Sequence, residues 1–170
     1  MINMPKVLKI EFGAISETNV EILRKVNASC FPISYNDNFY KDIVSRLDEG
    51  LNKFAYYGGF VVGAVCTRIE PLPSDDDRSR LYIMTLGVLA AYRGREVGTQ
   101  LIQSVLDYYD ANKDGSLAKV DEIALHVQIS NDDAIRFYRD RFGFVQGDMV
   151  ENYYRRIDPP HCYLLYKKLR

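Results

Sequence analysis

The spacing of apolar and polar residues divides the N-terminal third of the chain into one strand and two helices. Val7–Phe12 alternates between the two classes and contains β-forming residues, so it predicts a first strand. Apolar residues at helical spacing from Val20 to Asn27 predict a helix, and Cys30–Asn36 contains a proline and predicts a loop. Asp37 is placed to cap a second helix, predicted over Asn38–Leu47.

The middle of the chain predicts a hairpin and a buried strand. Two apolar segments, Phe54–Tyr57 and Phe60–Ile69, flank the turn-forming pair Gly58–Gly59, which is typical of a β-hairpin. The acidic segment Pro71–Ser79 predicts a polar surface loop. The mostly apolar run Arg80–Leu89 then predicts a strand buried on both faces.

The rest of the chain alternates between helices and strands. A loop rich in arginine and glycine over Ala90–Gly98 leads into a helix that ends near Ala111. The remaining predicted elements are a strand at Glu122–Val127, a helix at Asp132–Arg141 closed near Gly143, and two strands, Phe144–Tyr154 and Cys162–Leu169, around a Pro159–Pro160 turn. This order predicts a mixed α/β layer architecture.

Composition and charge exclude several classes of protein. A length of 170 residues fits one domain, and a net charge of −1 argues against a nucleic-acid binder, which usually carries a basic excess. The three cysteines show no CxxC spacing, so neither a disulfide framework nor a zinc site is indicated, and no metal is expected. Without a signal peptide or a run of about 20 apolar residues, the chain is expected to be cytoplasmic and not to enter a membrane.

The arginine- and glycine-rich loop has the properties of a phosphate site. It reads Arg93-Gly94-Arg95-Glu96-Val97-Gly98, followed by Thr99, between a buried strand and an amphipathic helix. Backbone N–H groups at a helix N-terminus are free and carry partial positive charge, which favours phosphate binding. Glycines let the backbone approach such a ligand closely.

This loop resembles motif A of the GNAT acetyltransferases, R/Q-x-x-G-x-G/A, which cradles the pyrophosphate of coenzyme A. Glu96 stands where the motif has its first glycine. The segment from Asn131 to Tyr138, followed by Phe142-Gly143-Phe144, resembles motif B of the same family, with three residues instead of two before the apolar-Gly-Phe ending. We interpret the extra residue as a small insertion at the end of the helix. The resemblance implies a single GNAT-type domain over residues 1–170, with a mixed, mostly antiparallel central sheet and helices on both faces.

Other stretches resemble a narrower group, the catalytic subunits of NatE N-terminal acetyltransferases. They are FPISYND with FY, VGAVCTR, RLYIMTLGVL, LHVQISN and NYYRRI. The resemblance implies an enzyme that acetylates protein N-termini beginning with methionine followed by an apolar residue. It implies peptide-binding residues at Phe31, Pro32, Ile33, Tyr35, Met84, Tyr153, Tyr154 and Ile157.

Acetyl-CoA is the donor that the resemblance implies, and it assigns roles by position. Tyr82 and His126 would act as the base through water, and Tyr138 as an acid or positioning group. Backbone N–H groups around Leu86–Val88 would polarise the thioester carbonyl. The implied acetyl-CoA contacts are Leu86, Gly87, Val88, Arg93, Gly94, Arg95, Glu96, Val97, Gly98, Thr99, Asn131 and Tyr138. A protein α-amine has a pKa of about 7.7–8.0, so a weak base suffices to deprotonate it.

Two alternatives to this activity stay open at the level of sequence. A glutamate near a pyrophosphate is repelled by about 1–4 kcal/mol per close charge pair, so the chain could be a catalytically weak subunit that binds a NatA-type complex or the ribosome. The acceptor could instead be a small-molecule amine or an internal lysine. The role of His126 is also open. A lone histidine on an apolar strand is more often a core residue, whereas its position after the predicted cofactor-binding helix favours a functional role.

Overall fold

A computed structural model describes residues 6–46 and 50–170 of the chain. Those residues form seven strands and four α-helices. The strands are β1 (Glu11–Ala14), β2 (Lys53–Tyr57), β3 (Phe60–Leu72), β4 (Asp75–Val88), β5 (Val120–Gln128), β6 (Val145–Val150) and β7 (Cys162–Lys168). The helices are α1 (Val20–Cys30), α2 (Asp37–Ser45), α3 (Val97–Asn112) and α4 (Asp132–Arg136). The prediction of a mixed α/β architecture is confirmed.

The strands form one sheet in the order β1-β2-β3-β4-β5-β7-β6. β4 and β5 run parallel, with Arg80 opposite Glu122 and Tyr82 opposite Ala124. The pairs β1–β2, β2–β3, β5–β7 and β6–β7 are antiparallel. The sheet is therefore mixed and mostly antiparallel, as the resemblance implied.

The chain divides into two compact units. The first unit comprises Met1–Thr67 and Met84–Asn112, and the second comprises Arg68–Ile83 and Lys113–Arg170. The core of the first unit is a cluster of buried side chains from α1, α2 and β1–β3 with their flanks: Ile15, Leu23, Tyr40, Ile43, Phe54, Ala64 and Cys66. In the second unit, β4, β5 and β7 contribute fully buried side chains at Leu81, Ile123 and Leu165.

The N-terminal segment differs from the prediction. The first strand is Glu11–Ala14, not Val7–Phe12, because the backbone of Leu8 is used elsewhere. The Leu8 N–H donates to the carbonyl oxygen of Arg95 over 3.1 Å, and the Leu8 carbonyl accepts from the Gln100 side chain over 2.8 Å. Alternation of side chains indicated an extended segment here, but it could not show which backbone groups this segment would meet.

The helix α2 begins one residue earlier than predicted. Its cap is Asn36, whose side-chain oxygen accepts from the N–H of Phe39 over 3.1 Å, and not Asp37, which is the first helical residue. The predicted end at Leu47 lies outside the described residues.

The acidic segment Pro71–Ser79 is not a surface loop. β3 continues to Leu72 and β4 begins at Asp75, so only two residues separate the strands. Contacts with a distant segment support the extended conformation, since the Ser79 N–H donates to the carbonyl oxygen of Lys119 over 2.8 Å and Arg78 pairs with Asp121. Polar composition indicated a loop because it does not distinguish an exposed strand from an exposed turn.

The predicted strand Phe144–Tyr154 is shorter in the structure, since β6 comprises only Val145–Val150. Tyr153 and Tyr154 therefore lie in the loop between β6 and β7 rather than at the end of the predicted strand.

The helix of motif B absorbs its extra residue locally. After α4 the chain makes one π-helical turn over Phe137–Arg141, which accommodates one more residue than an α-helical turn does. Gly143, with φ of 70°, then ends the helix, and its N–H donates to the carbonyl oxygen of Arg139 over 3.0 Å. The predicted closure near Gly143 is confirmed, and the surplus lies at exposed positions before it.

The left-handed backbone of Gly143 generates a prediction about stability. No atom lies within 4 Å of a β-carbon built there, so Gly143→Ala meets no steric clash and its cost is that of the backbone alone. We expect a loss of about 1 kcal/mol in the free energy of unfolding, measured by urea denaturation. Gly143→Asn is the matched control, because asparagine tolerates this conformation, and it should lose clearly less. Equal losses for the two variants would contradict this account of the helix end.

Candidate active site

The predicted phosphate loop lies where the sequence placed it. In the first unit, β4 ends at Val88, a 3₁₀ turn covers Ala90–Tyr92, and α3 begins at Val97. The Arg93 side chain donates from Nε to the Val88 carbonyl oxygen over 2.8 Å, which ties the loop to the end of the strand. The N–H groups of the first turn of α3, including Gly98 and Thr99, have no acceptor inside an α-helix and are available to an anion.

Glu96 occupies a backbone conformation that suits glycine. Its φ is 66°, in the left-handed region, and Gly94 in the same loop has a φ of 70°. A non-glycine residue in this region costs about 1–2 kcal/mol, so the departure from motif A carries a backbone strain in addition to a negative charge.

Two residues outside the motif hold this loop. The Gln100 side chain donates to the carbonyl oxygens of Leu8, over 2.8 Å, and Glu96, over 3.2 Å. Leu8, which is fully buried, in turn donates its N–H to the carbonyl oxygen of Arg95 over 3.1 Å. Neither residue was predicted to belong to the site, because their roles come from backbone hydrogen bonds between distant parts of the chain.

The end of β4 approaches the α1–α2 loop closely at Gly87. A β-carbon built at Gly87 would lie 3.3 Å from the Cys30 sulfur and 3.4 Å from the Phe31 ring. The Cys30 thiol donates to the Val88 carbonyl oxygen over 3.5 Å. A glycine at this position therefore lets the predicted peptide-binding loop pack against the strand whose backbone is predicted to face the thioester.

The predicted peptide-binding residues of the first unit form an aromatic cluster with helix α2. The Phe31 and Tyr35 rings meet edge to face at 6.3 Å, and the Tyr35 and Phe39 rings lie 4.6 Å apart. Tyr35 and Met84 both pack against the core cluster of this unit while remaining half-buried. Pro32 is exposed and Ile33 is half-buried in the same loop.

The two helices that flank this loop are joined by polar contacts. Asn27, which is buried, donates from Nδ2 to the Tyr40 hydroxyl over 3.2 Å. The Arg24 guanidinium pairs with Asp37 over 3.1 Å and lies 4.1 Å from the centre of the Tyr40 ring. These contacts hold the ends of the loop in place.

The second unit brings the two predicted base residues together. The Tyr82 hydroxyl lies 2.7 Å from Nδ1 of His126, and their strands β4 and β5 are neighbours. The Tyr153 hydroxyl lies 3.3 Å from that of Tyr82, and the Tyr153 ring stacks on His126 with centroids 4.5 Å apart. Tyr153, predicted as a peptide-binding residue, thus forms a three-residue cluster with Tyr82 and His126. Its side chain is 42% exposed.

The loop carrying Tyr153 is shaped by a hydrogen bond to the His161 side chain. Nδ1 of His161 accepts from the N–H of Asn152, whose φ is 53°, over 3.0 Å. The Tyr154 N–H donates to the carbonyl oxygen of Pro160 over 2.8 Å, and its ring meets that of Tyr153 edge to face. Ile157 lies in the same loop and is half-buried.

The motif B residues of the second unit are less open to a ligand. Tyr138 is buried between the rings of Phe137 and Phe144, with centroid distances of 4.9 and 5.2 Å. The side-chain oxygen of Asn131 caps α4 by accepting from the Ala134 N–H over 3.2 Å, so this atom is engaged in the helix.

The protonation of the cluster follows from its surroundings. Burial lowers the pKa of His126 below that of an ordinary imidazole, and the charges of Arg80 and Arg68 act in the same direction against that of Glu70. Burial raises the pKa of the Tyr82 hydroxyl, helped by its hydrogen bond with Tyr153. At neutral pH the pair is therefore an uncharged imidazole beside a protonated phenol, which suits an acceptor and a relay for a proton. Burial also raises the pKa of Tyr138, which keeps its proton available.

Neither a metal-binding cluster nor a membrane-spanning helix occurs in the described parts of the chain. Among residues 6–46 and 50–170, no group of three His, Cys, Asp or Glu side chains could hold a metal ion. None of the helices in the same ranges combines the length and apolar character needed to cross a bilayer.

Comparison with known proteins identifies the family. Residues 20–144 match the acetyltransferase (GNAT) family. The chain is 45% identical to N-alpha-acetyltransferase 50 of Danio rerio over 163 residues, covering 95% of this chain and 90% of that protein. It is 45% identical to a probable N-acetyltransferase, san, of Drosophila melanogaster, covering 95% of this chain and 82% of that protein.

Solved structures are similar over nearly the whole chain. The Arabidopsis thaliana Naa50 structure with the bisubstrate analogue CoA-Ac-MVNAL is 39% identical, with a TM-score of 0.80, covering 94% of this chain and 99% of that one. The predicted GNAT fold and the resemblance to NatE-type catalytic subunits are confirmed. The match over residues 20–144, together with relatives 45% identical along most of their length, shows that this chain belongs to the GNAT acetyltransferase family.

Proposed function

We propose that this chain transfers the acetyl group of acetyl-CoA to the α-amine of protein N-termini that begin with methionine followed by an apolar residue. The observation that carries the proposal is the hydrogen bond between Tyr82 and His126, which assembles a neutral base of the strength that an α-amine needs. The relatives named N-alpha-acetyltransferase 50, and the Arabidopsis structure whose analogue joins coenzyme A to a peptide beginning with methionine, support it. The predictions of an N-α-acetyltransferase and of acetyl-CoA as its donor are confirmed by these likenesses.

Acetyl-CoA supplies the activated acetyl group, and the loop of the first unit fits its pyrophosphate. The loop places two left-handed residues, Gly94 and Glu96, before the first turn of α3, so that backbone N–H groups there can converge on an anion. Gly98 and Thr99 lie in that first turn, and Arg93 and Arg95 supply positive charge nearby. The backbone of Leu86, Gly87 and Val88 supplies the donors proposed for the thioester carbonyl.

The Tyr82–His126 pair removes the proton from the attacking amine. A water molecule accepts this proton and passes one to the Tyr82 oxygen, while the hydroxyl proton of Tyr82 moves to Nδ1 of His126. The imidazole ends the step protonated, so no tyrosinate is needed, in agreement with the raised pKa of Tyr82. Tyr138 keeps its proton and serves as the acid or positioning group on the leaving-group side, and Asn131 contributes to cofactor binding beside it.

The side chains proposed to contact the peptide are aromatic and apolar. In the first unit, the proposed contacts are Phe31, Pro32, Ile33, Tyr35 and Met84. In the second unit, they are Tyr153, Tyr154 and Ile157. The tyrosine hydroxyls suit peptide backbone groups, and the Phe-Pro-Ile segment suits an apolar side chain.

The wider setting is also part of the proposal. Residues 1–170 act as one GNAT acetyltransferase domain in the cytoplasm, as a NatE-type catalytic subunit that binds a NatA-type complex and the ribosome, with no direct contact to nucleic acid or membrane. The strained, negatively charged Glu96 favours one alternative, in which the chain is a weak enzyme retained for these partners.

Substrate choice is tested with peptides. Peptides that begin Met-Leu should have higher kcat/KM values than peptides that begin with Ser or Ala, because a missing methylene in an apolar pocket costs about 1–3 kcal/mol. Phe31→Ala should reduce this preference. Phe60→Ala is the control, since Phe60 is 74% exposed on the β2–β3 hairpin and should leave the preference unchanged. Equal rates for Met- and Ser-starting peptides would refute the proposed specificity.

The base is tested by substitution and pH. Tyr82→Phe or His126→Ala should lower kcat by about 10²-fold with little change in acetyl-CoA affinity. Because the pKa of His126 is lowered, the imidazole stays neutral as the pH falls past its ordinary value of about 6.5, so the acid limb of the parent kcat profile should lie below that pH. Tyr163→Phe is the control and should retain kcat. On β7, Leu164 pairs with His126, and Tyr163 lies on the opposite face of that strand. Full kcat in both base variants would assign the pair a structural role.

The loop is tested at Glu96. Glu96→Gly removes both the charge and the left-handed strain, and should tighten acetyl-CoA binding several-fold, or by about 1 kcal/mol, in titration calorimetry. Glu96→Gln removes only the charge and should gain less affinity, and its gain should shrink as the salt concentration rises, because Glu96 is only half-buried and salt screens such charges over about 8–10 Å.

A matched pair on α3 serves as the control. Gln100→Met loses the bonds to Leu8 and Glu96 and should weaken acetyl-CoA binding, whereas Gln103→Met, at an exposed position one turn further on, should not. An unchanged or weaker affinity for Glu96→Gly would mean that the glutamate points away from the phosphates, and it would remove the main support for the weak-enzyme alternative.

A further inference from the structure

A ladder of charged residues continues from the Tyr82–His126 pair along the second unit. Side chains at alternate positions of a strand share a face, and neighbouring strands carry them side by side. The members are Arg68 and Glu70 on β3, Arg80 and Tyr82 on β4, and Glu122 and His126 on β5. The register places Arg80 opposite Glu122, so the charged residues and the proposed base belong to one ladder.

Arg80 is the buried centre of this ladder. It is only 8% exposed, and its Nε donates to one oxygen of Glu70 over 2.7 Å. The other oxygen of Glu70 accepts from Nε of Arg68 over 2.9 Å, and Arg80 lies 3.8 Å from Glu122. A charge this deeply buried is costly unless it is paired, which Arg80 achieves with two carboxylates.

Both arginines also contact the proposed proton relay. The guanidinium carbon of Arg68 lies 4.9 Å from the centre of the Tyr82 ring, and that of Arg80 lies 5.7 Å from it. Cations at such distances from an aromatic face are attracted to it and restrict its orientation. The ring whose hydroxyl meets His126 is therefore held by an ion-paired scaffold and not by apolar packing alone.

The charges that face His126 do not act equally. Burial lowers its pKa most, Arg80 and Arg68 lower it further, and Glu70 raises it. Glu122 lies on the same strand and the same face as His126. Burial raises the pKa of its carboxyl, while Arg80 and Lys168 lower it. Tyr82 and Tyr153 contact the imidazole directly, and the residues of β7 that share its face are Cys162, Leu164, Tyr166 and Lys168.

We infer that Arg80, through its ion pair with Glu70, is a positioning residue for the reaction: it holds Tyr82 against His126 and opposes a positive charge on the imidazole. This inference rests on the proposed function for its catalytic consequence. An arginine suits both tasks at once, because its planar group can engage two carboxylates and an aromatic ring, whereas a lysine offers a single point charge that retains only the electrostatic task.

The direct test is a titration of His126 by NMR. The chain has only two histidines, so His161→Gln assigns the remaining imidazole signal to His126. In Arg80→Gln the pKa of His126 should rise, because a nearby cation is lost while Glu70 remains. Glu70→Gln removes the opposing charge and should lower the same pKa. Arg78→Gln is the matched control, since Arg78 forms its ion pair with Asp121 instead, and should leave the pKa in place.

Kinetics then separate this inference from the proposed function. In Arg80→Gln the ratio of kcat at pH 8 to kcat at pH 6 should increase about threefold or more over the parent, with the KM for acetyl-CoA unchanged. Arg80→Lys should restore the pH profile more fully than it restores kcat. If the titration moves as expected but the kinetics do not, His126 is not the base and the proposed mechanism fails, while the effect of Arg80 on the pKa of His126 stands.

The inference is overturned if the pKa of His126 is the same in the parent, Arg80→Gln and Glu70→Gln proteins. If Arg80→Gln fails to fold, Glu70→Gln alone decides the question, because it should lower the pKa of His126. Loss of structure around the buried imidazole would shift that pKa in the opposite direction. Exposing the imidazole raises its pKa towards the ordinary value, whereas Glu70→Gln lowers it.

Discussion

The alternation of side chains along β4 is the constraint on which the cluster of Tyr82, His126 and Tyr153 depends. Leu81 and Ile83 point to one side and are buried in the core, so Arg80 and Tyr82 must point to the other. Parallel pairing with β5 then sets Glu122 beside Arg80 and brings His126 within hydrogen-bond distance of Tyr82. A slip of one residue in that register would bury the arginine in the core and expose leucine in its place.

Burial and charge act on the same histidine, and together they match the proposed base to an α-amine. Removing an imidazole from water and placing cations near it both disfavour its protonated form. The resulting base is weak, which suffices for an α-amine with a pKa of about 7.7–8.0 but is less adequate for a lysine side chain near 10.4. The electrostatics of the second unit therefore favour an α-amine over an internal lysine as the acceptor.

The two departures from the family pattern are both absorbed close to where they occur. Glu96 keeps the left-handed backbone that the motif ordinarily assigns to glycine, and Gln100 and Leu8 hold the carbonyl groups on either side of it. The extra residue after Tyr138 widens one helical turn, and Gly143 ends the helix beyond it. In each case a few hydrogen bonds restore the geometry, so the neighbouring elements keep their positions in the fold.

Local pattern was sufficient to predict the order of the elements, the β2–β3 hairpin, the strand–loop–helix unit around Arg93–Gly98 and the end of the motif B helix at Gly143. These features depend on spacing along the chain and on the backbone preferences of glycine and proline, which sequence contains directly. The resemblance to the GNAT family added Tyr82 and His126, which the structure brings to 2.7 Å. It could not be inferred from either segment alone that these two side chains meet, since 44 residues separate them.

The remaining features were decided by tertiary structure. Leu8 forms a hydrogen bond to Arg95 in the Arg93–Gly98 loop instead of forming a strand. Tyr153 stacks on His126, and His161 orders the loop that carries Tyr153. Arg80 is ion-paired and buried at a position where composition indicated only the start of an apolar strand. Each outcome depends on hydrogen bonds or ion pairs between distant segments, and the burial of those groups, which sets their strength, exists only once the sheet has formed.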